Sequence, residues 1–167
     1  MRYFRPAILS MFIAILALPA LTHAADHTGY GYTLQSKTSE FEDVRSDLED
    51  AIINRGYVVD YVGHINKMLE RTSEVAESVT AEGKKSPYKN AQYLQFCPAK
   101  ITHDAISTSP QNIANCPVAI FIYELNIEPG KIFVGYRTPI SGQSRKMRDV
   151  NKKLSSLLAE IVGEVVK

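Results

Sequence analysis

Phe96-Cys97-Pro98-Ala99, and then Cys116-Pro117-Val118-Ala119-Ile120-Phe121-Ile122-Tyr123-Glu124-Leu125, are the two segments around which the rest of the chain is organised. They hold both cysteines of the chain, nineteen positions apart, each followed by proline. Val118 to Leu125 is almost wholly apolar, as expected of a central strand covered on both faces. Upstream, Ala91 to Phe96 reads as another strand. Pro98 fits the first position of a helix, where a missing N–H costs nothing, and that helix runs to about Ile106 before Ser109-Pro110 stops it. Downstream, Glu128-Pro129-Gly130 is a tight turn, and Lys131 to Arg137 sets Ile132, Val134 and Tyr136 against Phe133 and Gly135. The two runs therefore make a hairpin.

Outward from this centre the periods are equally plain. Tyr30, Tyr32 and Leu34 alternate with Gly31, Thr33 and Gln35, giving a half-buried strand. Ser39 with Glu42 has the spacing of a capping box, and Phe41, Val44, Leu48, Ala51 and Ile52 follow at helical spacing up to Gly56, placed for a left-handed C-cap. Tyr57 to Val62 reads as a strand, and His64 to Leu69 as the start of a short helix with Met68, Leu69 and Val75 inward. Residues 78–88 have no period and read as a surface loop. From Ser144, the stripe Met147, Val150, Leu154, Leu157, Leu158, Ile161, Val162 and Val165 predicts a long helix, residues 144–166. Lys146, Arg148, Lys152 and Lys153 lie off that stripe and read as a solvated face. Strand, helix, strand, short helix, strand, short helix, hairpin and long helix together predict an α+β domain, helices on one side of a curved, mainly antiparallel sheet.

The N-terminus has its own logic. Arg2 and Arg5 precede an apolar run from Ala7 to Leu18, Pro19 breaks it, and Thr22-His23-Ala24 offers small residues for cleavage. The run falls short of the roughly 20 residues that span a bilayer, so residues 1–24 are expected to be a cleaved signal peptide and 25–167 one exported, periplasmic domain. Cleavage removes two of 19 basic residues and none of 18 acidic ones, taking the formal charge from +1 to −1. A near-neutral chain without a basic block argues against nucleic acid. No later segment is apolar enough to span, so no membrane partner is expected after cleavage.

Three readings of Cys97 and Cys116 stand side by side. They form a structural disulfide worth about 3 kcal/mol in the chain-entropy picture; or they line a ligand, sulfur or metal site, with Cys97 at a helix start that favours thiolate; or they are separate buried thiols. His64 and Met68, four apart, share a helical face, and with a cysteine would make a soft set for copper or haem iron. The plainer alternative makes His64 a capping residue and Met68 core. His103 beside Asp104 reads as a polar face, and His27 as part of a frayed terminus. Glu40 and Glu42 serve the cap, while Asp43, Asp47, Glu49 and Asp50 are solvated. No nucleophile elbow, phosphate loop, zinc-protease motif or carboxylate pair is present, so a non-catalytic role is expected.

Three blocks resemble the exported branch of the domain of unknown function 302 family over about residues 30–140. They are Val59-Asp60-Tyr61-Val62-Gly63-His64-Ile65 with Met68 to Thr72; Tyr88 to Ala99; and Pro110 to Pro117 followed by Ile120 to Glu124 and Val134 to Arg137. The resemblance implies a TATA-box-binding-protein-like α+β arrangement and homodimers, and no established activity. It also implies that exported members keep the cysteine pair. Where Ser-Ala and a Met-rich helix would be expected after Cys97, Pro98-Ala99 and Ile106 stand, which weakens a methionine-based metal site. The fold name does not carry DNA binding with it. Three functions remain: a periplasmic small-ligand, copper or haem binding accessory protein with a pocket near Cys97, Cys116 and His64; a thiol redox or sulfur-handling protein; and a structural dimerisation module with a disulfide staple.

Overall fold

The structure, a computed structural model, describes residues 27–29, 31–75, 86–139 and 144–167. The elements are β1 (His27–Gly29), β2 (Tyr32–Thr38), α1 (Phe41–Ile53), β3 (Val59–His64), α2 (Ile65–Val75), β4 (Tyr88–Phe96), α3 (Ala99–Ile106), a 3₁₀ turn (Pro110–Asn115), β5 (Val118–Leu125), β6 (Lys131–Arg137) and α4 (Arg145–Val165). The six strands form one sheet in the order β1-β2-β6-β5-β4-β3. Every pairing is antiparallel. This is the α+β arrangement the pattern predicts.

Strand alternation sorts the sheet into two faces. Ile120, Ile122 and Glu124 of β5 lie opposite Tyr136, Val134 and Ile132 of β6, and Ile120 also faces Leu94 of β4. This face is buried beneath Val44, Leu48 and Ile52 of α1 and Leu154, Leu158, Ile161 and Val162 of α4. Fully burying one such aliphatic side chain stabilises by about 2 kcal/mol, so this cluster is the main source of stability. The alternate residues of β5 are only half-buried, so β5 is not covered equally on both faces as its composition suggested. A Phe or Tyr looks as apolar in sequence whichever face it occupies.

Local chemistry sets the element ends. Gly56 and Gly130 both take positive φ, +80° and +79°, where a Cβ would be strained. Ser144 Oγ accepts from the Met147 N–H at 3.1 Å and starts α4. The capping box at α1 does not form: Glu40 is the cap residue and makes no side-chain cap hydrogen bond. The Ser39 N–H donates instead to the Gly130 carbonyl, 3.0 Å away, tying the start of α1 to the β5–β6 turn. Met68 is 48% exposed rather than inward. The predicted surface loop lies, up to residue 85, outside the described residues, as do the leader and residues 140–143.

Candidate functional site

The disulfide follows from strand register. Phe96 lies opposite Val118, so the chain positions just beyond them, Cys97 and Cys116, meet at the end of the β4–β5 pair. Their sulfurs are bonded, with Cα atoms 5.5 Å apart. Between them the chain makes an excursion through α3 and the 3₁₀ turn. Ala105 of that excursion packs with Met147 and Val150 of α4, and Ile101 lies against them. The Cys97 Sγ is also 3.3 Å from the Thr102 hydroxyl. Of the three readings of the pair, separate buried thiols is excluded by the bond.

His64 does not join them. It pairs with Gln92, five positions along β4 from Cys97, so about 17 Å of extended chain separates it from the sulfurs. Met68 follows one turn beyond His64, exposed. The set of Cys97, Cys116, His64 and Met68 is therefore not one coordination sphere, and the pocket expected near Cys97, Cys116 and His64 is not assembled. The junction of β3 and α2, which carries His64, lies at the end of β4 away from Cys97. Among the described residues no group of three His, Cys, Asp or Glu side chains converges as a metal site. His103 is exposed on α3, beside Asp104. The hydrogen bond from Lys153 and its charge hold the Asp104 carboxyl below the usual range against a smaller desolvation effect, with Lys100 and His103 adding to the lowering.

Two features escaped the sequence reading. The first is Glu124, a carboxylate only 2% exposed. It accepts from Lys89 Nζ at 2.8 Å, Asn90 Nδ2 at 2.9 Å and the Gly130 N–H at 2.9 Å. Burial pushes its carboxyl up, but these hydrogen bonds and the Lys89 charge outweigh burial and hold it below the ordinary range. Three donors converge on its two oxygens, so it pins the β5–β6 turn to β4. Its parity with Ile120 and Ile122 was the available signal.

The second is the other face of the sheet. Tyr123 stacks on Phe133 at 4.8 Å between ring centroids, Phe121 lies 6.3 Å from Tyr123, and Tyr88 meets Tyr123 edge-on at 5.5 Å. Tyr61 and Tyr93 pair at 5.9 Å toward the β3 edge. Two rings lie across neighbouring strands over glycines: Tyr93 covers Gly63, and Phe121 covers Gly135. Burial, then Tyr88, Tyr32 and Glu128 nearby, pushes the Tyr123 phenol up, so it stays neutral. Leu34 and Ala91 are buried on this face, yet neither belongs to the core beneath α1 and α4. The i, i+2 spacing of Phe121 and Tyr123 was its sequence signal.

No family model and no curated protein matches the sequence. Among solved structures, the fold is similar to that of an uncharacterized conserved DUF302 protein from Bacillus stearothermophilus, at a TM-score of 0.65 and 11% identity, covering 82% of this chain and 99% of that one. At that identity the likeness speaks for fold.

Proposed function

We propose that this chain is an exported, non-catalytic accessory module of the domain of unknown function 302 family that works as a homodimer, pairing the ring-lined faces of two sheets. The disulfide is then a staple, and the ring cluster is the functional surface. The observation that carries this reading is that cluster, a second apolar layer outside the main core. Five strands at ~4.8 Å spacing and about seven residues at ~3.4 Å rise give a face of roughly 550 Å². Two copies would bury about 1,100 Å², near the lower end of specific interfaces. Sheets pack face to face in this way at about 10 Å, and one self-complementary face suits a two-fold axis. Exported location is supported by the leader pattern and suits a disulfide.

Sedimentation velocity tests it. The wild type is expected to sediment as a dimer at about 100 µM. Tyr123→Glu with Phe133→Glu is expected to give a monomer with an unchanged circular dichroism spectrum. A wild type that stays monomeric at that concentration refutes the reading.

One contact favours a thiol role instead. The Thr102 hydroxyl beside the Cys97 Sγ, at the start of α3, is placed to donate to a thiolate released by two-electron reduction of the bond. Equilibration in glutathione buffers decides: a bond reduced at a cellular thiol poise supports this role, and one that resists reduction there rejects it.

A further inference from the structure

The cations of α4 read in sequence as a solvated helix face. Their placement in the fold gives them a sharper meaning. Arg145, Lys146, Arg148, Lys152 and Lys153 are all exposed, and Lys100 stands exposed on α3. In the first two turns of α4 only Asp149 stands among Arg145, Lys146, Arg148 and Lys152, and on α3 only Asp104 accompanies Lys100; the other acids of α4, Glu160 and Glu164, lie in its second half. The Lys153–Asp104 ion pair, at 3.0 Å, shows that the two helices meet. The first turn of α4 holds no acidic residue. Cations there oppose the helix dipole, so they do not serve the stability of the helix. Helix α1, by contrast, carries Glu42, Asp43, Asp47, Glu49 and Asp50 against Arg45. A nearly neutral chain has sorted its charge.

An apolar side chain stands at the cationic end. Ile113, in the 3₁₀ turn, is 57% exposed. Its neighbour Asn112 donates through Nδ2 to the Thr108 hydroxyl at 2.7 Å, and that hydroxyl lies 3.9 Å from the Met147 Sδ. Met147 sits between Lys146 and Arg148. Ile113 and the first turn of α4 therefore share one end of the molecule. The Cys116 N–H donates to the Ile113 carbonyl at 3.0 Å, so the disulfide anchors the turn that presents this side chain.

We propose that this end, the disulfide-closed excursion together with the first two turns of α4, docks on an anionic lipid surface. Anionic headgroups complement the cations, and the acyl boundary accepts Ile113. A soluble polyanion satisfies only the charges. The acidic α1 of a second copy would also satisfy only the charges, and that head-to-tail contact does not close. The docking is peripheral, since no helix among the described residues is long and apolar enough to cross a membrane. It revises the expectation that the exported domain has no membrane partner, and it does not depend on pairing of the ring-lined faces.

The test is co-sedimentation of protein recovered from the periplasm with vesicles of phosphatidylcholine, alone or with about one-third phosphatidylglycerol. All variants come from one preparation scheme, so any contribution of the N-terminus cancels between them. Wild-type protein is expected to bind the anionic vesicles only, and to be released as salt rises from about 0.05 to 0.5 M. Arg145→Glu with Lys152→Glu, both exposed and so expected to fold, should weaken binding at least about 25-fold, roughly fivefold for each cation lost. Ile113→Ser should weaken binding to the same vesicles several-fold, yet leave retention on a soluble polyphosphate unchanged. Equal binding to neutral vesicles, binding to polyphosphate but not to vesicles, or an Ile113→Ser variant that binds like wild type would each overturn the proposal.

Discussion

Replacing Cys97 and Cys116 together by serine tests the staple reading most directly. The cross-link spans a sequence separation of 19. Loop-closure entropy for that length is roughly 11 cal/mol/K, which at 25 °C is about 3.3 kcal/mol of stability. Roughly 130 ordered residues unfold with an entropy near 0.27 kcal/mol/K, so the melting temperature should fall by about 12 °C. The effect acts mainly on the unfolded chain, so native circular dichroism should not change. Wild-type protein in strong reductant should melt with the double-serine variant. Hydrogen exchange should show the largest loss of protection across Ala99–Asn115, since the cross-link closes that segment, which is otherwise tied to α4 by the packing of Ile101 and Ala105, the Asp104–Lys153 ion pair and the Thr108–Met147 contact. A double-serine variant melting within about 3 °C of wild type would refute the reasoning. It would mean that packing on α4 already restrains the excursion as strongly as the bond does.

Glu124→Gln should destabilise by about 2–3 kcal/mol, because it removes a buried charge whose donors are left facing a neutral amide; chemical denaturation reads this. The Glu124 carboxyl is held below its ordinary 4.5 in the folded state, so its contribution is present above that pH and lost as pH falls below it. The wild type should accordingly lose stability more steeply than Glu124→Gln as acid is added below about pH 4.5, and parallel curves would contradict the assignment. Gly135→Ala should cost about 3 kcal/mol, more than Gly63→Ala: the new Cβ meets the Thr33 backbone carbonyl at Gly135, but only the swingable Tyr93 ring at Gly63. Equal melting temperatures for those two variants would show that the rings do not lie as described. His64→Ala should change stability by less than about 0.5 kcal/mol, since the side chain is exposed and away from the disulfide.

The fold was legible because its core obeys simple periods. The inward stripe of α4 was read from three- and four-residue steps, and Met147, Val150, Leu154, Leu158, Ile161, Val162 and Val165 are all buried. The β5–β6 hairpin was read from alternation and from Glu128-Pro129-Gly130, and its strands pair in that register. The cap of α1 was misread for a different reason. Ser39 with Glu42 satisfies the local spacing, but the Ser39 N–H belongs to a tertiary contact with Gly130 that no local rule contains. Tertiary competition for one donor decides such cases.

The candidate site was only half legible, and the division is instructive. Cys97 and Cys116 flank paired ends of β4 and β5, so their meeting depends on one local excursion, which sequence order nearly dictates. Whether His64 joins them depends on where along β4 the antiparallel β3 comes to rest. In this register Val59 sits opposite Phe96 and His64 opposite Gln92, so the strand delivers its first residue, not its last, to the disulfide end. That follows from the antiparallel sense alone: a chain that enters β3 beside Cys97 must leave it far from Cys97. A histidine ending the strand therefore cannot reach the sulfurs unless the strand runs parallel to β4. Strand polarity, rather than residue chemistry, separates the imidazole from the cysteines, and it leaves the ring cluster and the cationic end as the surfaces on which function is to be sought.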